Sequence, residues 1–328
     1  MHKCLIDEPP TGIMLVNLGS PEAPTVQAIA RFLRVFLSDP RVVPLPRWLW
    51  APILHGKVLR QRPKQLAPLY NSIWQERGSP LLVSSEDLQN GLQSWAQETG
   101  NNWVVELAMT YGQQSIADAL RRLAKQKVRQ IVVLPLYPQY STSTTAAVFD
   151  QLKNAPASCV LRPVHDYHDH PAYISALGQH IHNYWSTHGR ADKLLLSYHG
   201  LPISMHKQCP SYYQQCLRTS ELLRAELELE ATQFSVCFQS RAGRRPWLQP
   251  YTDDVIKQCL KQGHRHVQIA CPGFASDCLE TLEEVDAGYR DMFLQLGGER
   301  WDYIPALNAE KGHVHALSQV IQTCLDLP

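Results

Sequence analysis

The chain lacks the short motifs that mark the commonest enzyme classes. Its 328 residues hold no Walker A loop and no dinucleotide glycine fingerprint, which counts against nucleotide-dependent chemistry. The run Asn17-Leu18-Gly19-Ser20-Pro21 is too short a match to claim phosphate binding. No His-Glu-x-x-His and no paired Cys-x-x-Cys occurs, so the usual zinc patterns are missing too. Neither sign of charge dominates: Lys plus Arg is 31 and Asp plus Glu is 30, a formal net charge of +1, so there is no electrostatic footprint for nucleic acid. No uncharged run is long enough to span a bilayer, and Met1 to Pro10 has no apolar core of signal-peptide length, so a soluble, cytoplasmic protein is expected. The nine cysteines, odd in number and scattered, speak for reduced thiols, several of them small core residues, rather than a disulfide framework.

What is present is a rhythm of short apolar runs separated by helical stretches. Ile13-Met14-Leu15-Val16, Trp103 to Leu107, Ile131 to Leu134, Leu194-Leu195-Leu196, Phe234-Ser235-Val236 and Val267 to Ala270 alternate with segments such as Ile116 to Leu123, apolar at helical spacing. That alternation predicts an α/β fold with parallel sheets covered by helices. Three runs fall early and three late, with a divide near Arg162 to Pro171, although no sequence repeat supports a duplication. A last helix is expected from Val314 to Leu325, after the turn residues Pro305 and Asn308.

One segment departs from this rhythm. Residues 42–54, Val42-Val43-Pro44-Leu45-Pro46-Arg47-Trp48-Leu49-Trp50-Ala51-Pro52-Ile53-Leu54, are apolar and aromatic yet too proline-broken for a long regular helix. The segment reads either as irregular chain folded onto the core or as a ligand mouth, membrane contact or partner site. Arg41, Arg47, Lys57, Arg60 and Arg62 flank it, which suits anionic groups on a ligand or lipid headgroups.

Two strand ends carry chemistry. Ser197-Tyr198-His199-Gly200-Leu201-Pro202 places a histidine where an apolar run breaks into a loop, and open α/β sheets bind ligands at strand carboxyl ends. Alone, a histidine in such a loop is more often a hydrogen-bonded structural residue than a ligand. The second end, Cys271-Pro272-Gly273-Phe274, runs into Asp277, Glu280, Glu283 and Glu284. If a helix starts after Pro272-Gly273, Asp277, Glu280 and Glu284 share one face, at i, i+3 and i+7. Crowded carboxylates suit proton uptake and release or the passage of a divalent cation, and an imidazole nearby supplies a second base or a nitrogen ligand. Glu283 reads best as a solvated acid near a helix start. His165, His168 and His170 fit a polar connector better than a metal site.

At these residues the chain closely resembles the bacterial ferrochelatases, which insert ferrous iron into a porphyrin. The matching motifs run nearly end to end: Leu15 to Pro21, Phe36 to Val43, Gly78 to Leu81, Leu136 to Ser141, Ser197 to Gly200, Phe238 to Arg241, Pro246 to Thr252, and Pro272 through Glu284. The resemblance implies two Rossmann-like domains, each a four-stranded parallel sheet flanked by helices, with the active-site cleft between them. The corresponding boundaries are 1–167, carrying the cleft lip at 42–54, then 168–305, carrying His199 and Glu280, then a C-terminal helix at 306–328 packing back on the first domain. It implies that His199 and Glu280 accept pyrrole protons or bind the metal, with Asp277 and Glu284 behind as a proton or metal relay. It further implies that Trp247 and Phe274 line the cleft while Tyr70, Ser79 and Tyr111 lie near the ring edge or its propionates.

The same resemblance implies no organic cofactor, with Fe2+ and a porphyrin as substrates. Thr142 stands where cluster-bearing members have a cysteine, and the tail has only Cys324, so a [2Fe-2S] cluster of that type is not expected; Cys209, Cys216, Cys237, Cys259, Cys271 and Cys278 leave another arrangement open. The chain departs from the family pattern at Thr110, where an arginine is common, at Ala242, where an aromatic is common, and at Cys209-Pro210. The alternatives are a chelatase for another metal or tetrapyrrole, such as a cobaltochelatase or a coproporphyrin enzyme, and a porphyrin-binding protein without catalysis. No extended heptad occurs, so a monomer is expected, with peripheral membrane contact through 42–54 left open.

Overall fold

A computed structural model describes residues 9–153, 155, 159–243 and 245–327; residues 1–8 of the N-terminal segment read above, and Pro328, lie outside them. Eight strands form two separate four-stranded sheets. The first joins β1 (Thr11–Asn17), β2 (Trp103–Met109), β3 (Gln130–Pro135) and β4 (Val160–Pro163) in the order β2-β1-β3-β4. The second joins β5 (Lys193–His199), β6 (Phe234–Gln239), β7 (His266–Ala270) and β8 (Arg300–Ile304) in the order β6-β5-β7-β8. All pairs are parallel: Leu15 lies beside Leu107 and Leu134, and Leu196 beside Val236 and Ala270. Both sheets thus share one topology, a duplication that the residues alone do not display.

The apolar runs become strands because both their faces are covered. Ile13 and Leu15 enter a central core that also takes Leu194 and Leu196 from β5, while Met14 and Val16 enter an outer core with Val133 and Leu123. Leu195 faces a third cluster with Ile269 and Val285. Each fully buried Leu or Ile contributes about 1.5–3 kcal/mol, so the central core holds the two halves together. Two strands escaped the sequence reading. β4 and β8 are edge strands, and residues such as Arg162, Arg300 and Asp302 interrupt their apolar pattern because one side of an edge needs no cover. β4 also begins the segment read as an interdomain divide.

Helices of the expected type fill the intervals. Ile116–Lys125 is capped by Ser115, whose hydroxyl accepts from the Asp118 amide, and the last helix spans Lys311–Asp326. That last helix packs against Pro80–Glu98, Pro171–His188, β3 and β4. The proline-broken segment becomes a helix at Arg47–Ile53, a π-helical turn at Leu54–Val58 and a helix at Leu59–Ile73. It leaves Trp48 76% exposed, with Leu49 and Ile53 also in solvent.

The acidic segment corrects one expectation. The chain after Pro272-Gly273 stays a loop until Leu279, and Glu280–Gly288 is then a π-helix continuing as Tyr289–Gln295. The Cys278 amide and the Asp277 carboxylate both bond the Thr281 hydroxyl, which holds residues 277 and 278 outside the helix. Asp277 therefore does not share a helical face with Glu280 and Glu284.

Candidate active site

A 2-1-3-4 strand order reverses direction between its first and third strands, and at that point the loops splay apart to leave a crevice at the carboxyl ends. His199 is the last residue of β5, and Glu280 follows the loop that leaves β7, the next strand. Gln239, the register partner of His199 on β6, donates to the Glu280 carbonyl at 3.4 Å, and the Ser197 hydroxyl donates to Gln239 at 2.7 Å. One glutamine thus ties both strand ends together. The His199 ring places Nδ1 2.7 Å from the Gly200 carbonyl, so Nδ1 carries the proton and Nε2 presents its lone pair. The Tyr212 hydroxyl fixes the His199 backbone carbonyl at 2.8 Å.

Trp247 covers this turn. A Cβ on Gly200 would lie 2.8 Å from the Gln239 carbonyl and 3.4 Å from Trp247 Cε3, so only glycine lets the indole and β6 approach together. The Trp247 Nε1 donates to Ala242 O at 3.0 Å. Phe274 sits on the β7 loop, half-buried between the central and third cores, its amide bonded to Cys271 O.

Glu280 borders a cavity of about 170 Å³ whose opposite wall comes from the first half: Gly19 and Ser20 after β1, Tyr70 and Arg62 on one helix, and Ser79 capping another. Gly19 has φ +101, and a Cβ there would fall 1.8 Å from the Tyr111 carbonyl, so the chain can turn into the cavity only through glycine. The Ser79 and Ser20 hydroxyls bond each other at 2.6 Å. Burial, then the nearby Glu280, pushes the Tyr70 hydroxyl far above its ordinary value. Burial and then Glu280 likewise push the Cys278 thiol up. Both stay neutral, and the Glu280 carboxyl shares the cavity with Arg62 on the facing wall.

Asp277 and Glu284 are differently placed. Asp277 is buried and accepts from Tyr303 at 2.5 Å, Thr281 at 2.9 Å, Asn308 at 2.8 Å and the Ala306 amide at 3.3 Å. Glu284 accepts from the Ser240 amide at 2.7 Å, the Ser240 hydroxyl at 2.6 Å and Tyr289 at 3.1 Å, pinning Ser240 at φ 64 just past β6. Of the acids on this helix, burial raises Glu283 and Asp286 above the usual carboxylate range.

Tyr111 is not at the smaller cavity but at a neighbouring cleft of about 830 Å³, where its hydroxyl donates to Asp39 at 2.8 Å. Clefts of that volume take drug-sized organic molecules. Thr110 is buried there, its hydroxyl and amide both bonded to the Asn17 carbonyl, and Arg41 and Arg47 line the same cleft. The arginine absent at 110 thus has cationic neighbours on the wall. Arg41 is held by Asp150 at 2.7 Å, and Arg41 in turn keeps that carboxyl down at about 2.

His165 packs edge-on against Phe149, His168 bonds Asp166 and lies close to Asp169, and His170 Nε2 bonds Thr323. Ser20 lies in the motif Leu15 to Pro21 and Arg62 among the charges flanking 42–54, but neither pattern singles out the side chain that lines the cavity. Gln239 lies inside the motif Phe238 to Arg241, but only strand register reveals what it joins.

Fold and site together define an α/β chelatase architecture: two parallel sheets of equal topology with imidazole and carboxylate at adjoining strand ends. The structure of SirB from Bacillus subtilis with Fe3+ matches over 97% of this chain and 96% of that one, with a TM-score of 0.58 at 10% identity. A sirohydrochlorin chelatase SirB from Bacillus subtilis subspecies spizizenii in complex with cobalt gives 0.56 over 97% of each chain, also at 10% identity. These likenesses concern the fold alone.

Sequence similarity is narrower, and by it the chain belongs to the ferrochelatase family. The profile of that family matches residues 10–325. A ferrochelatase of Idiomarina loihiensis is 47% identical over 319 residues, covering 96% of this chain and 88% of that protein. One of Yersinia enterocolitica is 48% identical over 318 residues, covering 95% and 97%.

Proposed function

We propose that the protein is a lyase that inserts Fe2+ into protoporphyrin IX, releasing two protons to give protoheme, the last step of heme biosynthesis. The observation that carries this reading is the Glu280 carboxyl at a cavity wall, tied through Gln239 to the strand end that carries His199. Metallation strips two N–H protons from the ring while Fe2+ exchanges water for ring nitrogens, so bases must stand at the ring face. His199 Nε2 accepts one proton, its tautomer fixed by Gly200 O. Glu280 accepts another or holds the incoming metal.

Asp277 and Glu284 frame Glu280, and any proton they pass on travels through their hydroxyl partners, Tyr303 and Thr281 for the one, Ser240 and Tyr289 for the other. Ser79 and Arg62, facing Glu280, suit an anionic propionate, and Tyr70 gives the ring a flat wall in the cavity; Trp247 and Phe274, outside that lining, would meet the ring from the strand ends that carry His199 and Glu280. Rigid walls that pucker the macrocycle turn its lone pairs toward the metal and favour the transition state over the flat substrate. The iron keeps its oxidation state, so the chemistry needs no organic cofactor or cluster. Among the described residues no helix is long and apolar enough to cross a membrane. We place the protein in the cytoplasm as a monomer, with Trp48 and Leu49 touching a membrane surface.

The test is anaerobic metallation of protoporphyrin by wild type, His199→Ala and Glu280→Gln, with Co2+, Zn2+ and coproporphyrin as parallel substrates. The wild type is expected to form heme, with both variants slowed by at least about 100-fold. Porphyrin binding with no more heme than a protein-free control would sink the enzyme reading. Normal turnover by His199→Ala would remove the proposed base.

A further inference from the structure

Asn308 follows β8, far in sequence from either strand end, yet every polar group it has is spoken for. Its Oδ1 accepts from the Asp277 amide at 2.8 Å and from the Ser84 hydroxyl at 2.7 Å. Its Nδ2 donates to Asp277 Oδ2 at 2.8 Å and to Ala306 O at 3.0 Å. Its amide donates to Ala275 O at 3.0 Å, and its carbonyl accepts from His313 Nδ1 at 2.6 Å. Its backbone is left-handed, with φ 47, a conformation that asparagine tolerates far better than most residues.

The partners belong to opposite walls of the cavity. Asp277 and Ala275 lie on the loop that delivers Cys278, Leu279 and Glu280 to one wall. Ser84 lies on the helix Pro80–Glu98, whose first turn, Pro80 and Leu81, together with its cap Ser79, forms the other. We propose that Asn308 is a positioning residue for the metallation reaction, its single amide fixing the distance between the Glu280 wall and the Ser79 wall. It touches neither substrate. A carboxylate that must meet a ring nitrogen held by the opposite wall depends on that distance, and misplacement by about 1 Å can cost about 100-fold in rate.

This inference rests on the proposed metallation. The experiment uses Asn308→Gly, which keeps the left-handed backbone free of strain while deleting the amide, and Ser84→Ala, which cuts only the cross-wall bond. Steady-state metallation by the intact enzyme, porphyrin binding by fluorescence quenching, and thermal unfolding by circular dichroism are read together. Asn308→Gly is expected to lower kcat about 10- to 100-fold with KM for porphyrin changed less than about threefold. Ser84→Ala should lower kcat in the same sense, and the double variant should be no worse than Asn308→Gly alone. A variant that melts earlier but turns over at the wild-type rate overturns the proposal, as do multiplicative effects in the double variant. If Asn308→Gly does not fold, an unchanged kcat for Ser84→Ala overturns it. A wild type that makes no metalloporphyrin refutes the metallation reading instead.

Discussion

His313 gives the stability of this protein a definite dependence on pH. It is fully buried behind Asn308, with Nδ1 donating to the Asn308 carbonyl and Nε2 without a partner. Burial, abetted by the nearby His180, lowers its pKa from 6.5 to about 4. In the unfolded chain the imidazole regains its ordinary value, so between about 6.5 and about 4 the unfolded state binds a proton that the folded state refuses. Stability from this group is present above the unfolded pKa and is lost as pH falls through that window. The full difference is about 3 kcal/mol, of which about 2 kcal/mol goes between pH 7 and pH 5. The perturbation is His313→Asn, whose amide stands near the position of Nδ1 but does not titrate. Urea unfolding at a series of pH values should give the wild type an additional loss of about 2 kcal/mol over that interval relative to the variant. A stability gap between the two proteins that is the same at pH 7 and pH 5 would refute the reasoning, whatever its size.

Three further outcomes follow from other contacts. Gly19→Ala must place a Cβ 1.8 Å from the Tyr111 carbonyl at φ +101, so it should cost at least about 3 kcal/mol or yield no folded protein; a urea midpoint near that of the wild type would contradict the turn geometry. Glu284→Ala leaves the Ser240 amide, the Ser240 hydroxyl and the Tyr289 hydroxyl without their acceptor and should lose about 3 kcal/mol in the same assay, whereas a loss under about 1 kcal/mol would mean water replaces the carboxylate freely. Trp48→Ser with Leu49→Ser should abolish co-sedimentation with vesicles of anionic phospholipid; equal pelleting of variant and wild type, or none by either, ends the membrane assignment.

The sequence made the central strands plain because β1, β3 and β5 are covered on both faces and carry unbroken apolar runs, and β7 is interrupted only at Gln268. β4 and β8 stayed hidden because Arg162, Arg300 and Asp302 break their apolar pattern, whereas β2 and β6, edges as well, keep readable runs. His199 and Glu280 were legible as strand-end chemistry, yet Asp277 looked like their equal because spacing alone cannot reveal that Thr281 caps the chain and delays the helix. Gln239 lies in a motif and Asn308 in a turn, yet neither motif nor turn says what the side chain joins. Their roles are set by register and by a contact 224 residues distant, between Ser84 and Asn308, which no periodicity encodes. The resemblance puts Tyr70, Ser79 and Tyr111 near the ring edge or its propionates; Tyr70 and Ser79 line the smaller cavity and Tyr111 lines the larger cleft.

The helix Lys311–Asp326 also bears on how the protein is made. Val314, Leu317, Val320 and Ile321 sit in the central core with Leu88 and Leu92, and helix Pro80–Glu98 lies so close that a Cβ on Gly91 would meet Val314 Cγ2 at 2.9 Å. A ribosome adding about 5–20 residues per second needs roughly 7–30 s to travel from the end of β4 to the start of this helix. For that interval the first sheet exists without its cover, its apolar flank open to other nascent chains. The N-terminal half, first to be synthesised, is thus the last to be sealed, and a truncation shedding only the final helix would leave that half an aggregation-prone orphan.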